Sequence, residues 1–104
     1  MAVTGKYMYT DSDAVLTTSA VAYSFLDMVK NIVVRNLGNG GTEDSPKTTG
    51  GIIIVEVYNK RTGGETWRIP PGFDMTLPLQ SQTQVVALRY SGATRPSYVL
   101  MGGM

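Results

Sequence analysis

The short stretch Asp11-Ser12-Asp13 holds the best-spaced pair of carboxylates in this sequence. Two carboxylates at positions i and i+2 can reach one hard cation, Ca²⁺ or Mg²⁺, through their oxygens. The candidate companions elsewhere in the chain are Asp27, Glu43 and Asp44. A calcium loop needs further ligands at fixed spacing and a glycine at its bend, and neither follows Asp13. We therefore interpret residues 11–13 as a polar turn and predict no metal site.

Nucleophilic and general-base chemistry lacks its usual residues. The chain has no cysteine and no histidine, which excludes disulfides, thiolate sites and the commonest general base. Ser91 and Ser97 therefore have no histidine partner for a serine triad. None of the eight acidic residues forms a recognisable acid/base pair for glycoside hydrolysis. The segment Gly38-Asn39-Gly40-Gly41 lacks the lysine and the strand-to-helix context of a phosphate-binding loop. We predict a protein that is not an enzyme and has no cofactor.

Aromatic side chains offer a second kind of chemistry, the stacking of sugars or bases. The candidates are Trp67, Tyr58, Tyr90 and Tyr98, with Arg68 and Arg89 as hydrogen-bond donors. Aromatic rings on a sheet can serve as such a platform. Large aromatic rings also supply much of the buried area of a small domain, so we favour a place in the core or at its rim.

The charge balance argues against a polyanionic partner. Nine basic and eight acidic residues leave a net charge of +1, and the basic residues are too scattered to follow a phosphate backbone. The amino-terminal residues lack the layout of a secretory signal. Residues 14–29 are too polar to span a bilayer. We expect a soluble protein made in the cytoplasm, with neither nucleic acid nor membrane as a partner.

Both ends of the chain are apolar and are our candidate interface. The first end carries Tyr7, Met8 and Tyr9, and the last carries Met101 and Met104 around two glycines. Such an end can add a strand to the sheet of a neighbouring subunit, which satisfies main-chain hydrogen bonds at a sheet edge. It can equally pair within its own chain, and the sequence leaves both arrangements open.

Short strands must position these residues. Asn31 begins an apolar run that we predict to be a strand ending at Gly38, and residues 38–51 form an apolar-free loop that we expect to be exposed and mobile. Residues 52–59 and 65–69 are predicted to form a hairpin. For residues 14–29 the β-branched content favours strands over a short helix capped by Ser19.

Further strands follow along the second half of the chain. The dipeptide Pro70-Pro71 cannot lie inside a helix or a central strand, and Gly72 supplies the positive φ of a type II turn. We therefore predict a rigid corner at 70–72 that leads into another strand, in the same or the opposite sheet. Pro78 places residues 74–79 at a sheet edge or a bulge. The segments "TQVVALRYSG" and "SYVLMG" give the last two strands.

The predicted fold is one all-β domain, a β-sandwich of jelly-roll-like type with seven or eight short antiparallel strands. Turn signals at intervals of about 8–12 residues are typical of this class. Residues 1–13 form an extended amino-terminal arm and residues 14–104 the sandwich. Alternation within each strand predicts a core of Val34, Ile53, Val55, Val57, Trp67, Ile69, Val86, Leu88 and Leu100.

The arrangement "VVRNLGNGG … GIIIVEVYN … IPPGFDMTLPL … VVALRYSGATRPSYVLMGG" resembles small β-sandwich virion proteins of tailed bacteriophages. The resemblance covers residues 32–102 and rests on the Asn-Leu-Gly strand end, the proline-glycine corner, "TLPL" and the "SGA" turn. It implies a structural role in the virion, with no catalytic residues.

The chain is short and lacks a fibrous segment, so a capsid decoration (cement) protein fits better than a fibre. Its implied partners are the major capsid protein or other virion subunits and further copies of itself, and its implied location is the virion, after synthesis in the cytoplasm of the bacterial host. The alternative is a receptor- or carbohydrate-binding module of a phage tail or fibre.

Overall fold

A computed structural model of the chain describes residues 7–10, 15–59, 63–77 and 83–103. These residues form eight strands and no helix, so the part of the chain described contains no helix that is able to cross a membrane. The strands are β1 (Tyr7–Thr10), β2 (Val21–Val29), β3 (Asn31–Gly38), β4 (Ile52–Asn59), β5 (Gly63–Ile69), β6 (Asp74–Leu77), β7 (Thr83–Ser91) and β8 (Ser97–Gly103). The strand interpretation of residues 14–29 is confirmed for Val21–Val29 and wrong for residues 15–20, which form no regular element; the helix alternative is also wrong.

Two four-stranded antiparallel sheets make up the fold. Sheet A has the order β1-β8-β3-β6, and sheet B has the order β2-β7-β4-β5. The pairs β1–β8, β2–β7, β3–β6 and β4–β5 are nested one inside the next along the chain. This nesting is the jelly-roll topology, so the predicted all-β sandwich of jelly-roll-like type is confirmed.

The core fills the space between the sheets, as alternation predicts. Its buried members include Val34, Ile53, Val55, Val57, Ile69, Val86, Leu88 and Leu100. Trp67 is the one predicted core residue that is only half-buried. It lies opposite Val55 on β5, which is an edge strand of sheet B, and its side chain packs against the core at that edge.

The apolar start of β4 is buried on both faces of sheet B. Ile53 and Val55 face the core, whereas Ile54 faces outward and is nevertheless 1 % exposed. Ile54 lies between Arg68 and Arg89 in the strand register. Long charged side chains lay their aliphatic stems along apolar surface, and we attribute the burial of Ile54 to these two stems.

The Pro-Pro-Gly corner carries the chain from sheet B to sheet A, between β5 and β6. Gly72 has a φ of 87°, and the Phe73 N–H donates to the Pro70 carbonyl at 3.2 Å. These are the features of a type II turn with proline and glycine at its central positions. The corner and the edge position of β6, which Pro78 predicts, are both confirmed.

Asn36, near the end of β3, holds this corner in place. Its side-chain amide donates to the carbonyls of Gly51 at 3.0 Å and Ile69 at 2.8 Å. Its Oδ1 accepts from the Gly38 N–H at 3.0 Å. The backbone of Asn36 also accepts from the Gly72 N–H and donates to the Phe73 carbonyl. The side chain is 1 % exposed, and its amide thus replaces ladder bonds that are missing where the register of β3 shifts.

The loop of residues 38–51 is exposed over 42–49, as predicted, and its base is held by backbone hydrogen bonds. The Lys47 N–H donates to the Leu37 carbonyl and the Asn39 N–H to the Thr49 carbonyl, each at 2.7 Å. Thr42 and Ser45 close the tip through reciprocal backbone hydrogen bonds. Its mobility remains a prediction.

Candidate interaction surface

The structure brings the two predicted ends together on neighbouring strands of sheet A. Tyr7 lies opposite Gly102, Met8 opposite Met101, and Tyr9 opposite Leu100. The sequence left open whether this end pairs with a neighbouring subunit or within its own chain. In the structure β1 pairs with β8 of the same chain. Met104 lies outside the described residues.

Tyr9 packs toward the interior rather than outward. Its ring lies edge-on to that of Tyr23 in sheet B, with centroids 5.2 Å apart, and Tyr23 is edge-on to Tyr98 at 5.9 Å. Edge-to-face geometry is favourable for aromatic rings at these distances. Tyr9 thus joins the two sheets and is only partly exposed.

Tyrosine hydroxyls fix the last residue of β1. The Tyr98 hydroxyl donates to the Thr10 carbonyl at 3.0 Å and lies 2.8 Å from the Tyr23 hydroxyl. Tyr98 has one proton and the carbonyl can only accept, so Tyr23 is the donor between the two hydroxyls. This chain of hydrogen bonds links β1 to both sheets and gives the edge strand a defined position.

Met101 lies on the outer face of sheet A, because Tyr98 and Leu100 point into the core and side chains alternate between the two faces along β8. Val33 is opposite Met101 on β3, and Thr76 is opposite Val33 on β6. Val33 and Met101 are half-buried and Thr76 is exposed. We call Val33, Thr76 and Met101 the Met101 face. It places two half-buried apolar side chains beside an exposed threonine, on the side of a sheet that ordinarily carries polar residues.

A polar cluster borders the Met101 face one row further along the strands. The Arg35 Nε lies 3.3 Å from the Asp74 carboxylate, and its Nη1 lies 3.5 Å from the Glu43 carboxylate. Arg35 also donates to the Glu43 carbonyl at 3.3 Å. Both carboxylates are more than half exposed, so these ion pairs add little stability. Their effect is to attach the loop tip to the sheet.

An open groove of about 390 Å³ lies where this loop tip meets the end of sheet A. Its lining includes Thr10, Leu37, Gly41, Thr42, Ser97 and Val99. These residues come from β1, β3, β8 and the loop, so the groove depends on the whole end of the sheet. Leu37 and Val99 are the apolar members of this lining, and both are buried.

Phe73 is an aromatic ring that sequence reasoning did not single out. It is 61 % exposed directly after the corner, and Val15 is the other large exposed hydrophobic residue in the described part. Its exposure could have been predicted from the local sequence, because an apolar residue directly after a Pro-Gly turn lies at the tip of a turn. Alternation fails there, since the turn rotates the chain between the two sheets.

The residues considered for an aromatic platform do not form one among the side chains that are described. Tyr98 is buried in the core, and Trp67 and Tyr90 pack against it. Arg68 is next to Trp67 in the strand and faces the opposite side of sheet B. Arg89 is paired with Glu56 at 3.2 Å.

The acidic candidates for a metal site do not form one among the described residues. Asp11 and Asp13 lie outside the described residues, Glu43 is paired with Arg35, and Asp44 is exposed in the loop. Within the described ranges no three acidic residues come together in a way that would hold a metal ion.

Comparison with known proteins gives no relative from which a function could be transferred. No protein-family model matches the chain, and no curated protein or solved structure matches it either. The functional argument therefore rests on the surface itself.

Proposed function

We propose that this chain is a non-enzymatic virion structural protein, a capsid decoration protein that binds the capsid lattice and further copies of itself. The observation that carries the proposal is the Met101 face, where the partly exposed apolar side chains of Val33 and Met101 lie side by side on the outer side of sheet A. Apolar surface of this kind marks an interaction site when it is contiguous. Methionine and aromatic residues are enriched in interface cores.

The topology supports a role in recognition or assembly. Jelly rolls are found in viral capsid proteins, in lectin domains and in cupins. One fold hosts many functions, so this is an analogy at the level of the fold. The resemblance of residues 32–102 to phage virion proteins favours the capsid among these classes.

The edge of sheet A offers a second means of attachment. β1 is a four-residue strand at one edge of sheet A in the order of the described strands. An extended segment of a capsid subunit can add there as a further strand. Strand addition at β1 and burial of the Met101 face would act together, since Met8 on β1 lies opposite Met101.

A charge-insertion experiment tests the Met101 face. We expect Met101→Lys to abolish co-sedimentation with purified tailed-phage capsids, because a lysine at a buried interface position leaves a charge without a partner. Thr66→Lys is the matched control. Thr66 is exposed on the outer face of sheet B, so this substitution adds the same charge away from the Met101 face. Equal binding by the two variants would contradict the proposed face.

The location in the particle is tested separately. Particles from the source culture, separated on a density gradient and probed with an antibody against this chain, should carry it in the head fraction. Detection in the tail fraction alone, or only outside particles, would refute the decoration role.

The alternative function is a receptor- or carbohydrate-binding module of a phage tail or fibre. Exposed Phe73 favours it, because such a module needs an accessible aromatic ring. A glycan array distinguishes the two functions. Specific glycan binding by a monomer that Phe73→Ala abolishes would support the module and argue against decoration.

A further inference from the structure

We infer that two copies of this chain associate edge to edge through strand β5, so that the two B sheets join into one continuous sheet. In the order of the described strands, β5 is the last strand of sheet B. The two β5 strands run antiparallel about a two-fold axis at Trp67. The inference rests on the self-association part of the proposed function and identifies the surface through which the copies meet.

The hydrogen bonds of the neighbouring strands show which backbone groups of β5 are bonded to β4. In an antiparallel ladder the N–H and C=O of one residue point to the same side. The Tyr90 N–H donates to the Thr17 carbonyl, on the side of β7 away from β4. Ile53, opposite Tyr90 on β4, therefore directs its own groups to β5. Ile53 and Ile69 thus form a hydrogen-bonded pair.

The residues of β5 that alternate with the bonded ones direct their N–H and C=O groups to the edge. They are Gly64, Thr66 and Arg68, and all three are exposed. A Cβ on Gly64 would meet no atom within 4 Å. The register with β4 is unbroken from Gly63 to Ile69, so β5 has no bulge to turn this edge away. A regular edge of this kind is a template for a further strand.

A second copy of β5 complements this edge. The axis at Trp67 places Thr66 of each copy opposite Arg68 of the other, and both residues direct their backbone groups outward. About four N–H···O=C bonds then form across the axis. The two Trp67 side chains meet at a position without hydrogen bonds, where Cα atoms are only about 4.5 Å apart. Trp67 is half-buried in the single chain, and aromatic pairs across strands are favourable.

Charges on the outer face of sheet B favour this register and this partner. Glu56 lies opposite Thr66 in sheet B, so Arg68 of one copy is followed across the dimer by Thr66 and Glu56 of the other. The backbones of Arg68 and that Glu56 are about 10 Å apart, a gap of two strand spacings that two long side chains can close.

Both charged groups are available for this contact. Arg68 is exposed and makes no ion pair within the described part of the chain. The Glu56 carboxylate is 46 % exposed beside Arg89 and can accept further hydrogen bonds. The two-fold axis repeats the pair, so each dimer has two of them.

The first test uses Trp67, the one tryptophan of the chain, as a probe of the contact. Sedimentation equilibrium of the purified full chain from about 1 µM to about 1 mM covers the range of weak complexes. We expect a dimer with a micromolar dissociation constant, because the contact is at the small end of interface sizes. Iodide quenching of the tryptophan fluorescence should fall as the dimer forms. A monomer throughout this range, or a dimer with unchanged quenching, would overturn the inference.

The second test changes the charges. Arg68→Glu and Glu56→Arg each place like charges face to face across the dimer and should raise the dissociation constant at least about 10-fold. Lys30→Glu and Asp44→Arg are the matched controls, because they make the same changes of charge at exposed residues outside sheet B. Their dissociation constants should equal that of the wild type.

Mixing the two impaired variants gives the decisive result. In a heterodimer of Arg68→Glu with Glu56→Arg, opposite charges face each other in both pairs, so the mixture should regain an affinity close to that of the wild type. Association of either variant at the wild-type level, or a mixture no tighter than its components, would overturn the inference.

The β5 contact and the Met101 face lie on different sheets and can be tested apart. Thr66→Lys sets a positive charge opposite Arg68 of the second copy and should abolish the dimer while capsid binding persists. Met101→Lys should have the reverse effect. A wild-type dimer that does not bind capsids would contradict the decoration role alone, and a wild-type monomer that binds them would contradict the β5 contact alone.

Discussion

At the scale of single residues, Asn36 is the side chain on which most of the local geometry depends. It is the buried polar residue of the core region, and its amide makes three hydrogen bonds to backbone groups. The sequence contains a hint of this in the Asn-Leu-Gly strand end. The residue's partners cannot be read from that motif, because Gly51 and Ile69 come from other parts of the chain.

We expect Asn36→Ala to lower the free energy of unfolding by about 3 kcal/mol, since it leaves buried backbone donors and acceptors without partners. Urea denaturation measures the change. Asn31→Ala is the matched control, because Asn31 is exposed at the other end of the same strand and should change stability by less than about 0.5 kcal/mol. Equal effects of the two substitutions would show that the hydrogen bonds of Asn36 contribute nothing specific.

Trp67 belongs to the same scale. The sequence predicts full burial and a cost of about 3–5 kcal/mol for Trp67→Ala, whereas the side chain is half-buried on an edge strand. We now expect a loss of about 2–3 kcal/mol, in proportion to the smaller area removed from water. A loss below about 1 kcal/mol would mark the ring as a surface platform and would favour the recognition module.

At the scale of elements, the Pro-Pro-Gly corner decides where the chain changes sheets. Gly72→Ala should destabilise the protein by about 1–2 kcal/mol, because alanine is strained at a φ of 87°. Gly64→Ala is the control, as a Cβ there would meet open space. Thermal unfolding of both variants checks the difference, and a neutral Gly72→Ala would mean that the corner is not under conformational constraint.

The loop of residues 38–51 should show two levels of hydrogen exchange. The amides of Asn39 and Lys47 are hydrogen-bonded to backbone carbonyls and should exchange slowly. Those of Glu43 and Asp44 have no such bond among the described groups and should exchange quickly, and proteases should cut first near this tip. Uniformly fast exchange across the loop would show that its base is open in solution.

How far the sequence predicts each element depends on how local its cause is. The β4–β5 hairpin, the corner and the end of β3 follow from turn residues and alternation within a few positions. The pairing of β1 with β8 does not, because it joins residues at opposite ends of the chain. The groove is equally hidden. Leu37 and Ser97 become neighbours through the pairing of β3 with β8, and Thr10 joins them only through the pairing of β1 with β8.

At the scale of the whole molecule, the amino-terminal strand serves both stability and the proposed interface. Deleting residues 1–10 removes β1 and takes away the Thr10 carbonyl that accepts from Tyr98. We expect the sandwich to remain folded, to lose about 2–4 kcal/mol of stability through the lost hydrogen bonds and burial, and to lose capsid binding. Circular dichroism with urea denaturation checks the fold, and co-sedimentation checks the binding. Unchanged affinity for capsids would show that β1 takes no part in attachment.

The nested pairing of strands also dictates an order of events during synthesis. Only β4 and β5 are both consecutive and paired, so this hairpin is the one unit able to form early. Each further pair encloses a longer loop, and closing longer loops is slower. β8 lies between β1 and β3 in sheet A, so that sheet has a gap until the ribosome has delivered the last strand. A nascent chain can pair β3 with β6 before β8 is made, whereas β1 has to wait for β8, its one partner among the described strands. Chaperone binding during that interval should therefore concentrate on β1.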